Sequence, residues 1–170
     1  MKRYLCDGIV KGATHQRNGL PCQDSKKIVE ISDDIVMIAV ADGHGSEKCP
    51  RSDRGSTIAV NTFCEVMKNY LQSYGLDENG LSNLITFLNR EGDMRFAQDI
   101  CEEWQARVKQ SYYKNKEEGM LDDDGNIKWP SVLSLYGTTL LGMLITNTFV
   151  FSFQIGDGDI NLVTEDGVFV

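Results

Sequence analysis

Apolar and polar positions along this chain follow two different periods, and the change from one to the other marks out its elements. Lys26–Ile31 and Ile35–Ala41 are β-prone runs joined by Ser32-Asp33-Asp34, which predicts a hairpin. Residues 4–10 predict a strand ahead of it, and the polar, turn-rich stretch Gly12–Gln23 predicts a loop between them. From Ser56 onward Ala59, Phe63, Val66, Met67, Tyr70 and Leu71 recur at helical spacing. Gly75 and Asn79-Gly80 close that helix, Leu81–Leu88 predicts a short one broken near Gly92, and Ala97, Ile100, Cys101, Trp104 and Val108 form a second long stripe that ends in the charged run Lys114–Glu118. Both stripes read as core-packing faces.

After Pro130 the period returns to that of strands. Thr138–Thr146, Thr148–Ile155 and Asp159–Val163 predict three strands, punctuated by Asn147 and by Gly156-Asp157-Gly158. Glu165-Asp166-Gly167 predicts a turn into Val168-Phe169-Val170. Strands, then helices, then strands predict an α+β layering, with helices against a mostly antiparallel sheet. The 170 residues suffice for one domain with a real core, residues 1–170, and contain no internal repeat.

Composition narrows the function classes. The net charge is -8, and no Lys/Arg cluster is long enough to suggest a nucleic-acid face. No apolar stretch approaches the about 20 residues of a membrane span, and the N-terminus lacks the apolar region of a secretory signal. The five cysteines are scattered and never paired as CxxC, which predicts reduced thiols and a cytoplasmic protein rather than structural zinc. With only His15 and His44 present, a metal site would rest on oxygen ligands, which favours Mg, Mn or Ca. Asp122-Asp123-Asp124-Gly125-Asn126 has a calcium-loop look, but with Gly125 at loop position six Met120 and Ser131 fall on ligand positions, so a solvated acidic turn is expected.

The most informative stretch is Ile35–Ala41 followed by Asp42-Gly43-His44-Gly45, in which seven apolar residues end in an acid, two glycines and a histidine. This reads either as an ordinary Asp-Gly turn or as a buried strand that presents a rigid carboxylate beside backbone a ligand can approach. Asp24, Asp42 and Asp157 each sit beside a predicted strand. Carboxylates brought together resist ionising together, and a divalent cation removes that cost. Two such ions can polarise a phosphoryl oxygen and activate a water. His44, two residues beyond Asp42, is placed to give a proton to a leaving oxygen.

Three segments carry a family likeness. They are Gly12–Ser25 with its Cys22-Gln23-Asp24 core, Val40-Ala41-Asp42-Gly43-His44-Gly45, and the run from Tyr136-Gly137-Thr138-Thr139-Leu140 to Gln154-Ile155-Gly156-Asp157-Gly158-Asp159. Together, in this order and spacing, they resemble the metal-dependent serine/threonine protein phosphatases of the PPM (type 2C) family, in a divergent bacterial-type branch. The resemblance implies a PPM-type αββα sandwich, with mostly antiparallel sheets and flanking helices. It also implies hydrolysis of phosphoserine and phosphothreonine in a phosphorylated protein substrate by a metal-bound hydroxide, with two or more Mg2+ or Mn2+ ions.

By the same likeness Asp42 bridges the metals, the Gly43 carbonyl binds one, Asp24 joins mainly through water, Asp157 serves an accessory ion, His44 is the general acid and Arg17 binds substrate phosphate. Gln23 stands where many relatives carry a Glu. The family's later Asp-Gly and Asp-Asn motifs have no counterpart up to Val170. The resemblance therefore implies an N-terminal portion with its C-terminal part missing, weak or no turnover alone, and self-association through exposed sheet edges. A non-catalytic interaction domain on the same scaffold is the alternative.

Overall fold

The computed structural model describes residues 4–115, 120–164 and 167–169. Its centre is a four-stranded antiparallel sheet of β1 (Asp24–Ser32), β2 (Ile35–Asp42), β3 (Leu140–Ile145) and β4 (Val150–Ile155), in that order across the sheet. The two hairpins are local, β1 with β2 and β3 with β4. The long-range pairing is β2 with β3, where Met37 lies opposite Leu144 and Ala39 opposite Gly142.

Alternation along the strands assigns the two faces. Met37, Ala39 and Ala41 of β2 and Leu140 and Leu144 of β3 share one face and are buried. Against them packs α2 (Ser52–Tyr74), whose stripe of Ala59, Phe63, Met67 and Leu71 is the one read from the sequence. α3 (Glu78–Glu91) and α4 (Ala97–Lys114) complete the helical layer. Asp77 caps α3 by accepting a hydrogen bond from the Gly80 N–H at 2.7 Å, which supplies one helix-end donor with a partner.

The break expected near Gly92 is a π-helical turn, Gly92–Phe96, rather than a loop. The extra residue rotates the chain without ending the helix, as such turns do. It delivers Phe96, fully buried, into an aromatic cluster edge-on to Phe63, Phe151 and Phe153.

A second core of Val108, Tyr112, Val132, Leu135 and Tyr136 joins α4 to α5 (Trp129–Ser134). Arg51, at the head of α2, lies across the rings of Tyr112 and Tyr136 and donates to the Tyr136 hydroxyl at 2.8 Å and to the Asn115 carbonyl. The start of α2, which follows the Asp-Gly-His loop, is thereby fixed from below.

The α+β class with an antiparallel sheet and flanking helices is what the structure has. Several boundaries and pairings differ from the sequence reading. Residues 4–10 form no strand; they are irregular chain, with Tyr4 and Val10 exposed. The expected loop Gly12–Gln23 holds a short helix, α1 (Ala13–Arg17). The third C-terminal strand shrinks to β5 (Leu162–Thr164) and pairs with β6 (Gly167–Phe169) instead of joining the sheet.

The reason for that departure is the turn after β4. Gly156 and Gly158 take φ of 92° and 127°, values glycine adopts readily, and Gln154 Nε2 donates to both of their carbonyls. The chain is turned out of the plane of the sheet. Asp122 Oδ1 accepts from the Asp124 and Asn126 N–H groups, so the acidic segment is a self-satisfied turn. Residues 116–119 of the expected charged helix end, the 165–166 part of the last expected turn and Val170 lie outside the described residues.

Candidate metal and phosphate site

Asp24 opens β1 and Asp42 closes β2, and the two are direct register partners across the hairpin's open end. Cross-strand partners point to the same face, here the one opposite the helices. Their carboxyl groups are close enough to influence each other's charge. Asp42 titrates above the ordinary aspartate range, because partial burial disfavours its charge and because the contact with Asp24 and the charges of Asp24 and Asp157 add to that effect; the nearby His44 acts in the opposite sense.

The backbone of Asp42 is clamped by the segment before β3. Its N–H donates to Thr139 Oγ1 at 3.0 Å, and its carbonyl accepts from the Thr139 N–H at 2.8 Å and from Thr138 Oγ1 at 2.9 Å. His44 N–H donates to the Gly137 carbonyl and Gly43 N–H to the Gln23 carbonyl, each at 3.1 Å. Gly43 is wedged: a Cβ there would lie 2.6 Å from the Ser52 carbonyl oxygen and 2.9 Å from that of Gln23. Only glycine fits, so the turn direction and the exit of His44 are set by packing. Ser25, next to Asp24, hydrogen-bonds to Ser56 and Thr57 of α2 at 2.9 and 3.0 Å and fixes the start of β1.

Asp157 arrives from the Gly156–Gly158 turn, which rests on Thr139. Asp24, Asp42 and Asp157 together line a cavity of about 440 Å³. Lys26, Val40, Thr139 and Leu141 form more of its wall, and Gly8–Val10 cross it. The His44 side chain is exposed, with Nδ1 4.0 Å from the buried Cys49 sulfur. Arg17 stands on exposed α1, its guanidinium 3.5 Å from Thr14 Oγ1, and does not line the cavity.

The sequence places Thr138 and Thr139 at the start of a predicted strand and assigns no role to Ser25 or Lys26. Thr138 and Thr139 act on Asp42, 96 and 97 residues away, and Ser25 on Ser56 and Thr57, 31 and 32 away, so a single sequence carries no signal for these pairings.

The donor set suits a hard divalent cation: two register-paired carboxylates, one of them reluctant to ionise, face an open cavity beside a third. Among the described residues no three carboxyl, imidazole or thiol groups are close enough to enclose an ion by themselves. Mg2+ and similar ions keep several waters and share phosphate oxygens, so a partly open site fits them.

Residues 11–170 match the protein phosphatase 2C family model. The chain belongs to the protein phosphatase 2C family. No curated protein and no solved structure matches it. In this protein phosphatase 2C chain the matched region contains all three aspartates, both threonines and His44, whereas Gly8, Ile9 and Val10, which line the cavity, lie outside the match. Among the described residues no helix is long and apolar enough to cross a membrane.

Proposed function

We propose that this chain hydrolyses phosphoserine and phosphothreonine in proteins with the help of Mg2+ or Mn2+ held at Asp24 and Asp42. The observation that carries this reading is that strand register sets Asp24 and Asp42 opposite each other in a cavity they share with Asp157. The Gly43 carbonyl and Asp157 are the further groups assigned to the ions. When bound, such ions polarise a phosphoryl oxygen and bring the pKa of a water toward neutrality.

The chain's own residues do the rest. Thr138 and Thr139 hold the Asp42 backbone and so aim its carboxylate. His44, exposed beyond the glycine hinge, donates a proton to the departing serine or threonine oxygen. Free thiols at Cys6, Cys22, Cys49, Cys64 and Cys101 accord with action in the reducing cytoplasm.

The test is manganese-dependent release of phosphate from a phosphothreonine peptide, with Asp42→Asn as the control. Activity in the parent protein that disappears in the variant supports the reading, and metal-independent activity retained by the variant overturns it. A non-catalytic scaffold is the second reading, favoured by the lack of three mutually close ligands among the described residues. A manganese titration separates the two, since only the first requires saturable binding that depends on Asp24 and Asp42.

A further inference from the structure

We propose that Lys26 is the cation that receives the substrate's phosphoryl group at the three-aspartate cavity, and that Asp7 holds its ammonium until phosphate takes Asp7's place. This rests on the phosphatase reading above and names the residue that would bind the substrate's charge.

Position is the first argument. Lys26 follows Asp24 by two residues in β1, so both side chains leave the same face of the sheet, from Cα atoms about 7 Å apart. Lys26 lines the same cavity as the aspartates. Its neighbour Lys27 points the other way and donates to Asn61 Oδ1 on α2 at 2.5 Å, so it has no access to that cavity.

Charge is the second. Three carboxylates repel a phosphate monoester, which carries close to two negative charges at neutral pH, and metal ions that offset the aspartates leave the outer phosphoryl oxygens to be met by another cation. Arg17 does not line the cavity, whereas Lys26 does. Val40, its register partner, and Leu141 are apolar, so among these three wall residues only Lys26 offers the phosphate a charge.

Asp7 is the third. Its carboxylate lies 2.7 Å from Lys26 Nζ, and the two side chains are 47% and 30% exposed. A pair so open to water is weakly held and exchanges readily. A doubly charged phosphate in the cavity is the stronger partner. Asp7 sits on the segment whose Gly8, Ile9 and Val10 cross the cavity and which lies outside the family match. The carboxylate is thus a placeholder anion, carried by a strap over the site.

The experiment measures inorganic phosphate binding by calorimetry on the whole chain in the presence of Mn2+, alongside hydrolysis of p-nitrophenyl phosphate. Lys26→Ala is expected to weaken phosphate about tenfold and to raise KM with kcat nearly unchanged. Lys26→Arg should recover most of that loss. Asp7→Asn should tighten phosphate up to about threefold, because it removes the competitor.

An ion pair that merely pins the strap predicts the same direction of change for Lys26→Ala and Asp7→Asn, and that result overturns the proposal. So does unchanged phosphate affinity in Lys26→Ala, or no phosphate binding by the parent protein. Manganese affinity retained in Lys26→Ala shows that the aspartate cluster is intact. A parent protein that binds manganese and phosphate but hydrolyses neither ester nor peptide refutes the phosphatase reading, while the Lys26 assignment is still decided by the phosphate affinities.

Discussion

Asp24 and Asp42 face each other as register partners across the open end of the first hairpin, and each bears on the other's charge. Two acids in this relation disfavour the folded state unless a cation or a proton lies between them. Their juxtaposition is otherwise unexplained by packing, since Asp42 is exposed and the core lies on the opposite face of the sheet.

Asp42→Asn should therefore stabilise the metal-free protein at neutral pH. The folded chain keeps Asp42 protonated to higher pH than the unfolded chain does, so wild-type stability falls as pH rises through that window, and the amide removes the fall. The gain at pH 7 should be under about 1 kcal/mol, because the group is largely solvated. It should vanish below the ordinary aspartate pKa of about 3.9. Thermal melts across pH with and without Mn2+ check this, and added metal should raise the melting temperature of the wild type more than that of the variant.

Thr139→Val keeps the shape of the side chain and deletes the acceptor for the Asp42 N–H. A cost of about 1–2 kcal/mol in urea unfolding is expected. Manganese affinity should fall with it, since the carboxylate loses its aim. A loss of stability with unchanged metal affinity would restrict Thr139 to a structural part.

His44→Ala should discriminate between leaving groups. Proton donation matters most when a poor leaving group departs, so hydrolysis of a phosphothreonine peptide should slow by about 100-fold and that of p-nitrophenyl phosphate by only a few-fold. Parallel kcat measurements on the two substrates decide it, and equal slowing would remove the general-acid assignment.

Phe96→Ala should destabilise the fold by about 3–5 kcal/mol, because a fully buried ring between Phe63, Tyr70, Phe151 and Phe153 is lost. Chemical denaturation monitored by circular dichroism tests this. A cost below about 1 kcal/mol would mean that the π-helical turn does not anchor the helical layer to β4.

Much of this molecule could be read from residue order. The hairpin of β1 and β2, the stripe of α2 from Ala59 to Leu71 and the strands β3 and β4 follow from local periodicity, because a strand or an amphipathic helix writes its buried face into its own sequence. The acidic tips Asp42 and Asp157 follow for the same reason, as polar residues after apolar runs beside glycine turns, whereas Asp24 is marked by the Cys22-Gln23-Asp24 motif.

What periodicity does not contain is the partner of each element. The strand expected at 4–10 is irregular chain, and the expected third strand after β4 leaves the sheet, because hydrogen-bond pairing depends on neighbours far along the chain and on the two positive-φ glycines at 156 and 158. The π-helical turn at Gly92 looked like an end because glycine is a poor helix former; packing of Phe96 carries the helix through it.

The amino-acid order by itself determined which residues have the chemistry for the site, namely three carboxylates, a histidine after a glycine, and hydroxyls ahead of a strand. Only the tertiary structure decided that Asp24 meets Asp42, that Thr138 and Thr139 grip the backbone beneath them, and that Lys26 rather than Arg17 shares their cavity. Side-chain type is a local property of sequence. Distance between side chains is set by strand register and by the burial of the opposite face, which belong to the whole fold.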